Sequence, residues 1–120
     1  MPVRALRGAT TVDVDERAHV TERVQALINE MLTRNSIGND DLISIFFTAT
    51  EDIVSVFPAT AARALGLGDV PLICARELSV IGGNPRTVRV MMHLETDQTR
   101  GELHHVYLQG ARGLRDDLPE

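Results

Sequence analysis

Hydrophobic and polar positions along this chain follow two periods, and each change of period marks an element boundary. Val3 to Ala9 (VRALRGA) alternates as a strand does, which puts Arg4 and Arg7 on opposite faces. Asp13 and Glu16 stand three apart, the spacing of a capping box that opens a helix. Beyond them Val20, Val24, Leu27, Ile28, Met31 and Leu32 recur at helical spacing, predicting one buried stripe that runs to about Asn35. Ser36 to Asp41, centred on Gly38-Asn39-Asp40, is turn chemistry. Leu42 to Thr50 (LISIFFTAT) reads as a strand too apolar to face water on both sides. Pro58 suits the first turn of a short helix that runs to Leu65 and stops at Gly66. Val70 to Ala75 (VPLICA) is a short strand with a proline tolerated near its start. A Gly82-Gly83-Asn84-Pro85 loop leads into a longer strand, Thr87 to Glu95 (TVRVMMHLE). His105 to Leu108 (HVYL) is the last strand, and from Gly110 the tail is expected to make a turn of helix and then loosen.

This order predicts an α+β (α/β-like) domain: a mixed sheet of about five strands with the helices packed on one face. Two helices cannot cover both faces of such a sheet, so the open face is expected to be buried by oligomerisation. At 120 residues the chain has room for one domain. Its 43% apolar and 24% charged residues, with a mean hydropathy of −0.04, argue against disorder. No apolar run reaches 18 residues, so no membrane helix is expected. Met1-Pro2-Val3-Arg4 offers no hydrophobic signal segment, and a cytoplasmic location is the simplest expectation.

Charge and residue types narrow the chemistry. The net charge is −5 and all 12 cations are arginine. An acidic chain without a basic tract is a poor binder of nucleic acid, and Phe46, Phe47, Phe57 and Tyr107 are too few aromatics for a base-stacking platform. His19, His93, His104 and His105 match no metal-ligand spacing, and Cys74 has no second cysteine to pair with. On pattern alone Cys74 reads as a buried, inert thiol. Gly66-Leu67-Gly68 leads into a strand and is no phosphate loop. No metal or cofactor is expected. What remains is arginine inside strands: Arg7 and Arg89, with Arg63 on the short helix and Arg115 in the tail. Each alone reads as an ordinary surface charge, but several converging guanidinium groups would grip a small polycarboxylate.

Six blocks then carry a family resemblance: Arg4 to Thr11 (RALRGATT), Thr48 to Asp52, Val56-Phe57-Pro58-Ala59 with Arg63, Val70-Pro71 through Cys74 to Glu77, Val88 to Met92, and His105 to Leu108 followed by Leu114-Arg115. In this order and register the chain resembles the trimeric, monofunctional chorismate mutases of the α/β type, as distinct from the all-helical type. The resemblance implies a single chorismate mutase domain over 1–120, with about 116–120 a loose tail. It further implies a homotrimeric pseudo-α/β-barrel with active sites at the subunit interfaces. The reaction would be the Claisen rearrangement of chorismate to prephenate on the route to phenylalanine and tyrosine.

By position, Arg89 would reach the breaking ether oxygen and a carboxylate, Glu77 the ring hydroxyl, and Arg7 the substrate's side-chain region. Tyr107 and Arg63 would help hold the enolpyruvyl side. Phe57, Ala59, Thr60, Ile73, Cys74, Leu114 and Arg115 would line the pocket. Three positions depart from the family pattern: Thr60 stands where a lysine is known, Ile73 where a threonine is, and Asp116 where a proline is common. Weaker substrate binding is the expected consequence. Two further readings share the architecture: a catalytically silent trimer that binds a carboxylate metabolite, and a trimeric enamine/imine deaminase.

Overall fold

The computed structural model describes residues 1–112. Its elements are β1 (Val3–Thr11), α1 (Arg17–Arg34), β2 (Leu42–Ala49), α2 (Pro58–Ala64), β3 (Leu72–Arg76), β4 (Thr87–Glu95) and β5 (Val106–Tyr107). Short 3-10 turns at Asn39–Asp41 and Arg100–Glu102 lie in the connections, and a third at Gln109–Ala111 follows β5. The tail expected to be loose from about 116 lies outside the described residues.

The strands form one mixed sheet in the order β3-β2-β4-β1-β5. β4 is central and antiparallel to both neighbours, whereas β3 and β5 run parallel to β2 and β1. Alternation along the strands separates two faces. Leu6, Ile45, Phe47, Val88, Val90, Met92 and Leu94 point inward and are buried. They meet Val20, Val24, Leu27, Ile28 and Met31 of α1, the stripe that the helical spacing predicts. Gly8 is required where β1 crosses α1, because a Cβ there would lie 2.5 Å from Met31 Sδ and 3.1 Å from Leu27 Cδ1.

Among the described residues no helix covers the opposite face, as the helix count predicts. It carries Val3, Ala5 and Arg7 of β1, Phe46 and Thr48 of β2, Ile73 and Ala75 of β3, and Arg89, Met91 and His93 of β4. Phe46 is 47% exposed and Ile73 58%, large values for apolar side chains in a sheet.

Several boundaries move for identifiable reasons. The expected capping box at Asp13 and Glu16 does not form, and Glu16 caps α1 with its backbone alone. Asp13 is drawn away: its carboxylate accepts from Arg23 Nη2 at 2.8 Å and its N–H donates to His19 Nε2 at 3.0 Å. β3 begins two residues later than expected because the Val70 N–H closes a turn onto the Leu67 carbonyl. β5 shrinks to Val106–Tyr107 because side chains replace ladder bonds at its start. The Arg7 N–H donates to His105 Nδ1 at 3.0 Å, and the His104 N–H to Asn35 Oδ1 at 2.6 Å.

Candidate active site

Of the charged residues singled out from the sequence, this face gathers Arg7, Arg89 and Glu77. Arg89 lies opposite Ala9 across the β1–β4 ladder and Arg7 opposite Met91, so the two arginines are diagonal neighbours on one surface. Arg89 also faces Thr48 on β2. Glu77 follows the last residue of β3, and its N–H donates to the Ala49 carbonyl, which brings its side chain against the same corner. Arg89 Nε donates to the Glu77 carboxylate at 2.9 Å, and Thr48 Oγ1 donates to Glu77 Oε1 at 2.7 Å. The pair is mostly covered, with side-chain exposures of 31% for Arg89 and 16% for Glu77. Nε is therefore committed, while the Nη donors of Arg89 meet no protein acceptor among the described residues. Such a guanidinium is aimed by one edge and open at the other.

Three clefts divide the remaining candidates. One of about 620 Å³ holds Thr48, Glu77 and Arg89 with Arg76, Asp52 and Asn84. A second of about 560 Å³ holds Phe57, Thr60 and Cys74 with Arg17, Val54 and Arg76. A third of about 550 Å³ holds Arg7 with Arg4, Arg100, Met91, His93 and His105. Phe57 is 71% exposed just ahead of α2. Arg63 projects from the same helix, its Nη2 donating to Thr60 Oγ1 at 3.3 Å one turn back. Ala59 is buried within α2. Tyr107 is buried beside Ala9 and Ala111, opposite Ala9 in the β1–β5 ladder.

Within one chain, then, Arg7, Glu77 and Arg89 share a surface, while Phe57, Thr60, Arg63 and Cys74 form another group. None of these three clefts joins the two groups. Ile73 and Cys74, neighbours in sequence, point to opposite faces: Cys74 pairs with the inward Phe47 and Ile73 with the outward Phe46. Cys74 is half-buried against the core, less enclosed than its apolar strand suggests. Leu114 and Arg115 lie outside the described residues.

Sequence reading missed three residues. Thr48 sits in a polar outward position of an apolar strand and opens one of the matching blocks, but neither signal assigned it a role. Arg76 precedes Glu77, and its Nη1 donates to the Thr50 and Ile53 carbonyls. Asp15 accepts from the Val54 and Ser55 N–H groups at 3.0 and 3.2 Å, tying the start of α1 to the loop that carries Phe57. The Ser55 hydroxyl and the Val54 and Ser55 amides hold its carboxyl below the usual carboxylate range.

The same blocks recur in known proteins. The family model described as chorismate mutase type I matches residues 3–118. A chorismate mutase of Thermus thermophilus is 43% identical over 117 residues, covering 97% of this chain and 96% of that protein. The chorismate mutase of Bacillus subtilis is 37% identical, covering 98% of this chain and 94% of its own. Among solved structures, a chorismate mutase from Clostridium thermocellum superposes with a TM-score of 0.89 at 42% identity, covering 91% of this chain and 97% of the other. With family model, relatives and fold in agreement over nearly its whole length, this chain belongs to the type I chorismate mutase family.

Proposed function

We propose that this chain converts chorismate to prephenate at sites completed between neighbouring protomers of a homotrimer, each site joining the Arg7, Glu77, Arg89 and Tyr107 surface of one chain to the Phe57, Thr60, Arg63 and Cys74 surface of the next. One observation carries this reading. The Arg89–Glu77 pair is braced by Thr48 on a sheet face that no other element among the described residues covers, and its unpaired Nη donors favour an anion from outside.

The rearrangement is intramolecular and pericyclic, so no nucleophile, proton shuttle or redox centre is called on. Two physical tasks remain. The flexible diacid must be held in its compact, chair-like conformer, an orientation effect. The C–O bond breaks ahead of C–C bond formation, so negative charge grows on the ether oxygen and positive character on the ring. The Nη donors of Arg89 meet the first, as in an oxyanion hole, and are held in place before the charge develops. Glu77 balances the second. A carboxylate offers about four lone-pair positions, enough to accept from Arg89 and Thr48 and still take the ring hydroxyl. Arg7 and Arg63 would bind carboxylate from the two sides, and Phe57 would exclude water.

Loss of chorismate's ultraviolet absorbance on addition of purified protein, with prephenate as product, tests the reading. A flat trace alongside rapid hydrolysis of 2-iminopropanoate would replace it with the deaminase, and no turnover of either with tight carboxylate binding would leave a silent binder.

A further inference from the structure

Arg76 closes β3, and its side chain turns back onto the loop between β2 and α2. Its Nη1 donates to the Thr50 carbonyl at 2.6 Å and to the Ile53 carbonyl at 3.3 Å. These acceptors are uncharged. Arg23, Arg34 and Arg89 each have a carboxylate beside them, but Arg76 has none among the described residues. Its positive charge is therefore fixed in place without a direct ion pair, although Asp52 and Glu77 share one of the clefts it lines.

The position of that charge gives it a use. Arg76 lines both the cleft of Glu77 and Arg89 and the cleft of Phe57, Thr60 and Cys74, so it stands on the border between the two groups of site residues. The second cleft has no carboxylate in its lining, and Arg17 is its other cation. Asp15 is bonded to the wall without lining it, its carboxylate taken by the Val54 and Ser55 amides. An arginine anchored through one nitrogen has already lost much of its rotamer freedom, so binding an anion with the rest of its fork costs less entropy.

We propose that Arg76 is a carboxylate-binding residue for the substrate, supplying positive charge from the end of β3 on the border between the two clefts. The proposal rests on the reading above, in which the Phe57 cleft is half of the reaction site. Arg76 grips ground state and transition state alike, so its loss falls mainly on KM.

Arg76→Gln keeps an N–H donor for the loop carbonyls and removes the charge, whereas Arg76→Lys keeps the charge. Steady-state kinetics with chorismate across a range of ionic strength separates them. For Arg76→Gln, KM should rise about tenfold, the order of one charge-assisted hydrogen bond, with a much smaller fall in kcat. The rise of KM with added salt should also flatten, because fewer charges remain to be screened. Arg76→Lys should stay within about threefold of the parent KM and keep its salt dependence. An unchanged KM and salt dependence in Arg76→Gln would overturn the proposal, as would equal impairment of both variants, which would mark a loop-holding role only. Phe57→Ala measured alongside locates any failure. If it raises KM and Arg76→Gln does not, the assignment of Arg76 is wrong; if neither moves KM, the cleft is no part of the site and the reading beneath falls too.

Discussion

Arg89 is held through its Nε edge, which leaves its Nη donors as the atoms that would meet a substrate at the proposed site. Glu77 fixes that edge at 2.9 Å and Thr48 fixes Glu77 at 2.7 Å, so the Nη donors are placed before anything binds. A lysine keeps the charge but has no second edge to brace. Arg89→Lys should therefore lower kcat by about a hundredfold or more in a chorismate absorbance assay while thermal stability stays near that of the parent. An intact kcat would assign the charge separation to another residue. Thr48→Val removes one bond to Glu77 and none to the substrate. A fall in kcat of about fivefold is expected from the looser carboxylate, with KM little changed. At this scale the sequence was partly legible. Arg7 and Arg89 were visible as charges inside strands, and matching blocks supplied Glu77. The brace was hidden because Thr48 and Glu77 are 29 residues apart and meet only when β3 pairs with β2.

Among the elements, the long alternating and helical stretches were readable because each has one dry face. β4 runs from Thr87 to Glu95 as its pattern predicts, and α1 buries the predicted stripe. Ends were less readable, since there a side chain competes with the backbone for the same hydrogen bond. Asp13 prefers Arg23 to a capping role, and His105 takes the Arg7 N–H that a strand carbonyl would have taken. The close approach of β1 to α1 gives a packing prediction. Gly8→Ala places a methyl against Met31 and Leu27 and should cost about 1–3 kcal/mol in denaturant unfolding, less if the methionine repacks.

Asp15 links α1 to the Phe57 loop and gives a pH prediction. Its folded pKa is lowered, so its contribution is present above the ordinary carboxylate range and lost as pH falls through that range and its own lowered value. The Tm difference between the parent and Asp15→Asn should be plain at about pH 6 and close towards about pH 3. A difference that stays constant with pH would remove Asp15 from this role.

For the whole molecule, the informative feature is a surface left open. Phe46 and Ile73 lie exposed beside Arg89 and Arg7 on a face that both helices leave bare, and the candidate site residues fall into two groups that none of the three clefts unites. Helix count and sheet pattern revealed the bare face from the sequence. The proposed division of the site between chains could not be read that way, because strand alternation says which residues share a face and nothing about a neighbouring chain. In a closed cyclic trimer each interface would take one group from each of two chains. Arg89→Ala spoils one group and Arg63→Glu the other, and each variant alone should be nearly inactive. Unfolding the two together in equal amounts and refolding the mixture tests the shared site most directly. Random assembly leaves about a quarter of interfaces with both groups intact, so about a quarter of the parent activity should return. A mixture no more active than its two components would mean that each site is built within a single chain.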